Sequence, residues 1–143
     1  MNNKGKVLTF FIAICLLALC STLARADAAE SETAVPLLCA FTKSTVCDID
    51  GCGPIDLEAL DLPPFFKVDF KNKLITGVEA IGGRAARKKT PIKTIQRMDN
   101  NIILQGIELR AWSILISEAT GKMTLTAADD EEAGVFFGVC TPM

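Results

Sequence analysis

Cysteine offers the most chemistry in this sequence, and there is no histidine to help it. Without an imidazole, Ser-His-Asp triads, Cys-His dyads and histidine-bearing zinc sites are excluded. Of the six cysteines, Cys15 and Cys20 lie in an apolar N-terminal run, and Cys39, Cys47, Cys52 and Cys140 lie beyond it. Cys47 and Cys52 stand in a C-x4-C spacing with no second close pair, unlike an all-cysteine zinc site, and no C-x-x-C redox motif is present. Four cysteines in an exported chain read instead as two disulfides, and three pairings are open to them. The pairing favoured here is Cys47–Cys52 with Cys39–Cys140. The first closes a tight loop over Asp48-Ile49-Asp50-Gly51. The second ties the first expected strand to the last, a closure worth about 4–5 kcal/mol in the loop-entropy account.

Charged clusters come next. Asp48-Ile49-Asp50-Gly51-Cys52-Gly53, followed by Asp56 and Glu58, echoes a calcium loop. Its fifth position would be Cys52, and its twelfth would be Ala59 where a bidentate glutamate is required, so a disulfide-closed polar turn accounts for it better. The run Asp129-Asp130-Glu131-Glu132 falls between two expected strands and reads as a solvated turn rather than a cation or acid-catalysis site. Arg84, Arg87, Lys88 and Lys89, led by Gly82-Gly83, form a basic cluster on an otherwise acidic chain. They are the candidates for docking on anionic lipid headgroups, an envelope polymer or an acidic partner. No aromatic residue interleaves them, which argues against nucleic-acid stacking.

Catalysis has little to work with. No G-x-S-x-G, S-x-x-K or glycine-rich phosphate loop is present, so no serine or threonine has a recognisable base. The chain is therefore read as non-enzymatic, with no catalytic residue, metal site or cofactor expected. Trp112 falls on the inward side of its alternation and reads as core. Leu115 and Phe136 fall opposite their apolar neighbours. Either another element covers them, or they form an exposed apolar patch that marks an interaction site.

The elements that must position these residues are strands. Eight short ones are expected, over residues 36–42, 65–70, 73–80, 92–98, 102–109, 111–117, 122–127 and 134–141, with one helical turn near 56–60. Phe66, Val68 and Phe70 alternate with Lys67 and Asp69, and Met123, Leu125 and Ala127 alternate with Thr124 and Thr126, as half-buried strands do. Lys71-Asn72 and Thr120-Gly121 read as hairpin turns. Regularly spaced short strands point to an all-β antiparallel meander closing into a small barrel, with a two-sheet sandwich as the alternative.

Ahead of this domain, residues 1–26 read as a signal peptide. Lys4 and Lys6 precede fourteen residues, Val7 to Cys20, apolar except for Thr9, and Ala24-Arg25-Ala26 offers a cleavage site. The apolar run is shorter than the roughly twenty residues a membrane helix needs. Processing as a lipoprotein anchored through Cys20 is the alternative, though Leu19 stands where a small residue is wanted. Residues 27–35 read as a flexible tail and 36–143 as one disulfide-stapled β-domain. Past the leader the chain keeps twelve basic and seventeen acidic groups, a formal charge of −5, which disfavours nucleic acid as a partner. A periplasmic or secreted location follows.

One likeness joins these observations. Leu104-Gln105-Gly106, Ala111-Trp112-Ser113-Ile114, Thr120-Gly121-Lys122-Met123 and Phe137-Gly138-Val139-Cys140-Thr141-Pro142, with the cysteines that follow the leader, resemble small uncharacterised exported β-proteins of Gram-negative bacteria. The resemblance implies a periplasmic location and a first-to-last cysteine pairing, and it names no ligand. Two functional readings stand. One is a monomeric binding or interaction domain of the cell envelope, whose partner is a protein, a polymer or a small ligand, with peripheral membrane contact open through the basic cluster. The other is a carrier barrel for a small apolar molecule. A carboxylate-based hydrolase ranks third.

Overall fold

A computed structural model describes residues 35–78 and 88–143; the expected signal peptide and nearly all of the expected tail lie outside them. The described chain is all-β. Its strands are β1 (Leu37–Cys47), β2 (Cys52–Pro54), β3 (Phe65–Asp69), β4 (Leu74–Val78), β5 (Lys89–Pro91), β6 (Thr94–Met98), β7 (Asn101–Ile107), β8 (Ala111–Ser117), β9 (Lys122–Ala128) and β10 (Ala133–Pro142). One turn of 3-10 helix, Glu58–Leu60, falls within the expected helical stretch. Every strand pairing is antiparallel, in the order β5-β4-β3-β1-β10-β9-β8-β7-β6, and β2 pairs with β1 beyond the point where β3 leaves it.

The sheet curls, and the chain closes it. Its two end strands, β5 and β6, are consecutive and only Ile92 and Lys93 separate them. The Ile92 amide donates to the Lys73 carbonyl at 2.8 Å and extends the pairing with β4. The Lys93 amide donates to the Gln105 carbonyl at 2.8 Å and extends the pairing with β7. Segment 89–98 is thus one bent strand whose first half pairs with β4 and whose second half pairs with β7, so it joins the two ends of the curled sheet. Counting it once gives eight strands around the curl, the number at which side chains can fill the interior or leave room for one small ligand.

Inward positions follow the two-residue period: Phe66 and Val68 on β3, Ile102 and Leu104 on β7, Ile114 and Ile116 on β8, Phe136 and Cys140 on β10. Core side chains pack one end of the barrel solid, among them Val68, Phe70, Ile92, Leu104, Ile116 and Met123. That end carries the hairpins at 70–73, 99–100 and 118–121. The opposite end carries the connections 55–64, 108–110 and 129–132.

One local expectation is corrected. The turn at Lys71-Asn72 is a four-residue connection, Phe70 to Lys73, because Phe70 continues inward to the core and Lys73 takes a φ of 50°. Between β8 and β9 the connection is 118–121, with Thr120-Gly121 in it, as the expected strand bounds leave it. The tight two-residue turn is at Asp99-Asn100, where φ values of 50° and 62° suit a type I′ hairpin.

Candidate functional site

Above the packed floor the barrel is hollow. A cavity of about 590 Å³ opens at the end with the connections 55–64, 108–110 and 129–132. Its walls are inward side chains from strands all round the barrel: Phe41, Phe66, Trp112, Ile114, Leu125 and Phe136. The Phe41 and Phe66 ring centroids lie 5.1 Å apart and those of Phe41 and Phe136 5.8 Å apart, both pairs tilted, within the range of favourable aromatic contact. Trp112 pairs directly with Gly106 on β7, and the indole occupies the space a Gly106 side chain would need. A Cβ on Gly106 would stand 2.6 Å from the indole Cε2, so glycine there is a packing requirement. The indole Nε1 is buried without a hydrogen-bond partner, the one such side-chain atom among the described residues.

Residues 55–64 form a flap across part of the mouth, where Leu60, Leu62 and Pro63 line the cavity. The flap leaves the sheet after β2 and returns into β3. It is held at both ends to β1: the Ser44 hydroxyl donates to the Ile55 carbonyl, the Ile55 amide donates back to Ser44, and the Phe41 amide donates to the Pro64 carbonyl at 3.1 Å. The Cys47–Cys52 disulfide staples the hairpin from which it springs.

The rim holds the polar groups. Arg110 bridges Asp129, at 2.8 Å, and Glu132. The amides of Glu132 and Glu131, at 2.9 and 3.0 Å, hold the Asp129 carboxyl below its ordinary value, and Arg110 adds to them. The acidic run is therefore a hydrogen-bonded turn. Thr90 donates to Glu108 at 2.8 Å. Asp48 likewise accepts the amides of Asp50 and Gly51, and among the described residues no three potential ligands gather to hold a metal.

The residues singled out in the sequence scatter. Both expected disulfides are present, Cys39–Cys140 and Cys47–Cys52. Arg84 and Arg87 lie outside the described residues. Lys88 lines the rim, and Lys89 is exposed at the start of β5. Leu115 faces outward at 45% exposure, but Phe136 does not join it: it is 3% exposed and packs inside against Phe41. The outward residue is its neighbour Phe137, at 44%, which shares a row with Leu115 through Thr124. Of the residues lining the cavity, sequence reasoning singled out Trp112, Lys88, Glu132 and the misassigned Phe136 as candidates, and named Phe66, Leu125 and Ala127 only as members of alternating strands.

No family model, curated protein or solved structure matches this chain. Functional argument thus falls to the geometry. Two disulfides belong to an oxidising, non-cytoplasmic compartment, and no helix among the described residues is long and apolar enough to cross a membrane.

Proposed function

We propose that this chain is an exported, non-enzymatic barrel that binds a small apolar molecule, working in the periplasm or outside the cell. One observation carries the reading: the hollow end of the barrel is walled by apolar side chains, with its polar groups at the rim and a packed floor below. A volume of about 590 Å³ lies within the range of ordinary small-molecule sites. Burying apolar ligand surface there gains about 25 cal/mol per Å² with no chemistry required. A carboxylate mechanism is less well supported, because Glu132 at the rim is bound to Arg110 and Glu108 accepts from Thr90. The interaction-domain reading keeps one feature of its own, the outward row of Leu115 and Phe137.

The chain has one tryptophan and no tyrosine, and that tryptophan lines the cavity, so intrinsic fluorescence reports occupancy directly. Titration with N-phenylnaphthylamine should quench Trp112 by energy transfer to a bound probe. Ala127 lines the cavity beside Trp112 on the neighbouring strand. Ala127→Phe should fill the space and abolish binding with little change in melting temperature. A probe that binds both proteins equally is not in the cavity, and the reading fails.

A further inference from the structure

Resting on that ligand-binding reading, we infer that the occupant is a flat aromatic or conjugated ring system, held between Trp112 on one wall and Phe66 and Phe41 on the other. Around the barrel the order is β1, β3, β4, the bent β5–β6 segment, β7, β8, β9 and β10. In a ring of eight, β8 faces β3 and β7 faces β1 across the interior. Trp112, on β8, leans over Gly106 on β7 with one side against the backbone, and the other side is turned to the cavity it lines. Facing it across the space stand Phe66 on β3 and Phe41 on β1, in contact with each other, with Phe136 beside Phe41.

The composition of the two ends sharpens this. The floor is built mostly from aliphatic side chains: Val68, Ile92, Ile102, Leu104, Ile116 and Met123. The chain has eight phenylalanines and one tryptophan, and the tryptophan and three of the phenylalanines line the cavity above. Apolar area alone would be supplied as well by more aliphatic residues. Aromatic walls add quadrupole complementarity, which only a π-system in the ligand can return, and which opposing walls return on both of its faces.

The test is calorimetric binding of a matched pair, naphthol and its saturated counterpart decahydronaphthol, to wild-type protein and to Trp112→Leu. The two share a skeleton and a hydroxyl, and they differ in planarity and π-electrons. Naphthol should bind wild type about tenfold more tightly, from two stacked faces at a few-fold each. Trp112→Leu should cut the preference to about threefold by weakening naphthol while leaving decahydronaphthol within about threefold. If Trp112→Leu does not fold, Phe41→Leu on the opposite wall gives the same readout. Decahydronaphthol binding wild type as well as naphthol overturns the aromatic assignment and leaves the apolar-ligand reading standing. If neither compound binds, both fall.

Discussion

Cys39 on the first strand and Cys140 on the last stand directly opposite each other, bonded through sulfur with their Cα atoms 4.0 Å apart. The bond joins residues separated by 101 positions, so it closes the meander covalently where β1 meets β10. It also lies inside, with Cys39 fully buried in the core.

Stability should therefore depend unequally on the two disulfides. In the loop-entropy account a closure of 101 residues is worth about 4.7 kcal/mol, and one of five residues about 2 kcal/mol. Denaturant unfolding of Cys39→Ala/Cys140→Ala should show the larger loss, and Cys47→Ala/Cys52→Ala the smaller. Equal losses would mean that β10 is held to β1 by its ladder alone.

Adjacent residues on β10 give a second contrast. Phe136→Ala should cost about 3 kcal/mol, the low end for a buried phenylalanine because its ring already borders a cavity. Phe137→Thr should shift stability by less than about 0.5 kcal/mol, since that ring faces outward. Reversal of this order in urea melts would show that the parity of β10 is wrong.

That parity explains what the sequence could and could not convey. The inward residues of β10 are Gly134, Phe136, Gly138 and Cys140, and the outward ones include Val135, Phe137 and Val139. Two glycines inside and three large apolar residues outside invert the usual pattern, so alternation alone points Phe136 the wrong way. A stronger clue was present: a buried Cys140 two and four residues on from Gly138 and Phe136 puts all three on one face. The strands with clean alternation, β3, β8 and β9, were legible. The three-residue strands β2 and β5 were not, because their partners define them. Nor was the bend at Ile92-Lys93, which lies within the expected strand 92–98. The cavity depends on how far opposite walls stand apart, which no local pattern encodes.

Acid should weaken the fold through two aspartates. The amide of Asn72, and then its side-chain amide, hold the Asp69 carboxyl below the ordinary aspartate value of 3.8; the amides of Glu132 and Glu131, and then Arg110, do the same for Asp129. A carboxyl lowered in the folded state contributes stability that is fully present above its unfolded value and is lost as pH falls through its folded value. Stability should thus be flat near neutrality and decline below about pH 4. Asp69→Asn and Asp129→Asn should each flatten that decline in acid unfolding curves, and an unchanged slope in both would rule these two groups out as its source.

Gly106 and Trp112 carry the last prediction, because they decide the shape of the cavity together. A Cβ at position 106 would stand 2.6 Å from the indole Cε2 and 3.0 Å from the Pro91 carbonyl oxygen, so the ring must move off β7. Gly106→Ala should cost about 1–3 kcal/mol as an overpacked core position, and displacing the ring into the hollow should weaken probe binding in the same protein. Trp112→Leu clears the space, so adding Gly106→Ala to it should cost much less, and the difference is the coupling between the two positions. Trp112→Phe is a different case. It removes ring area, but it also removes the buried indole N–H that lacks a partner, a donor that costs about 1–3 kcal/mol to bury unpaired. Those effects oppose, and the melting temperature of Trp112→Phe should fall far less than truncating a buried tryptophan usually requires. Double-mutant cycles by thermal denaturation measure all of this. Additive costs for Gly106→Ala and Trp112→Leu would show that the indole does not lie over Gly106.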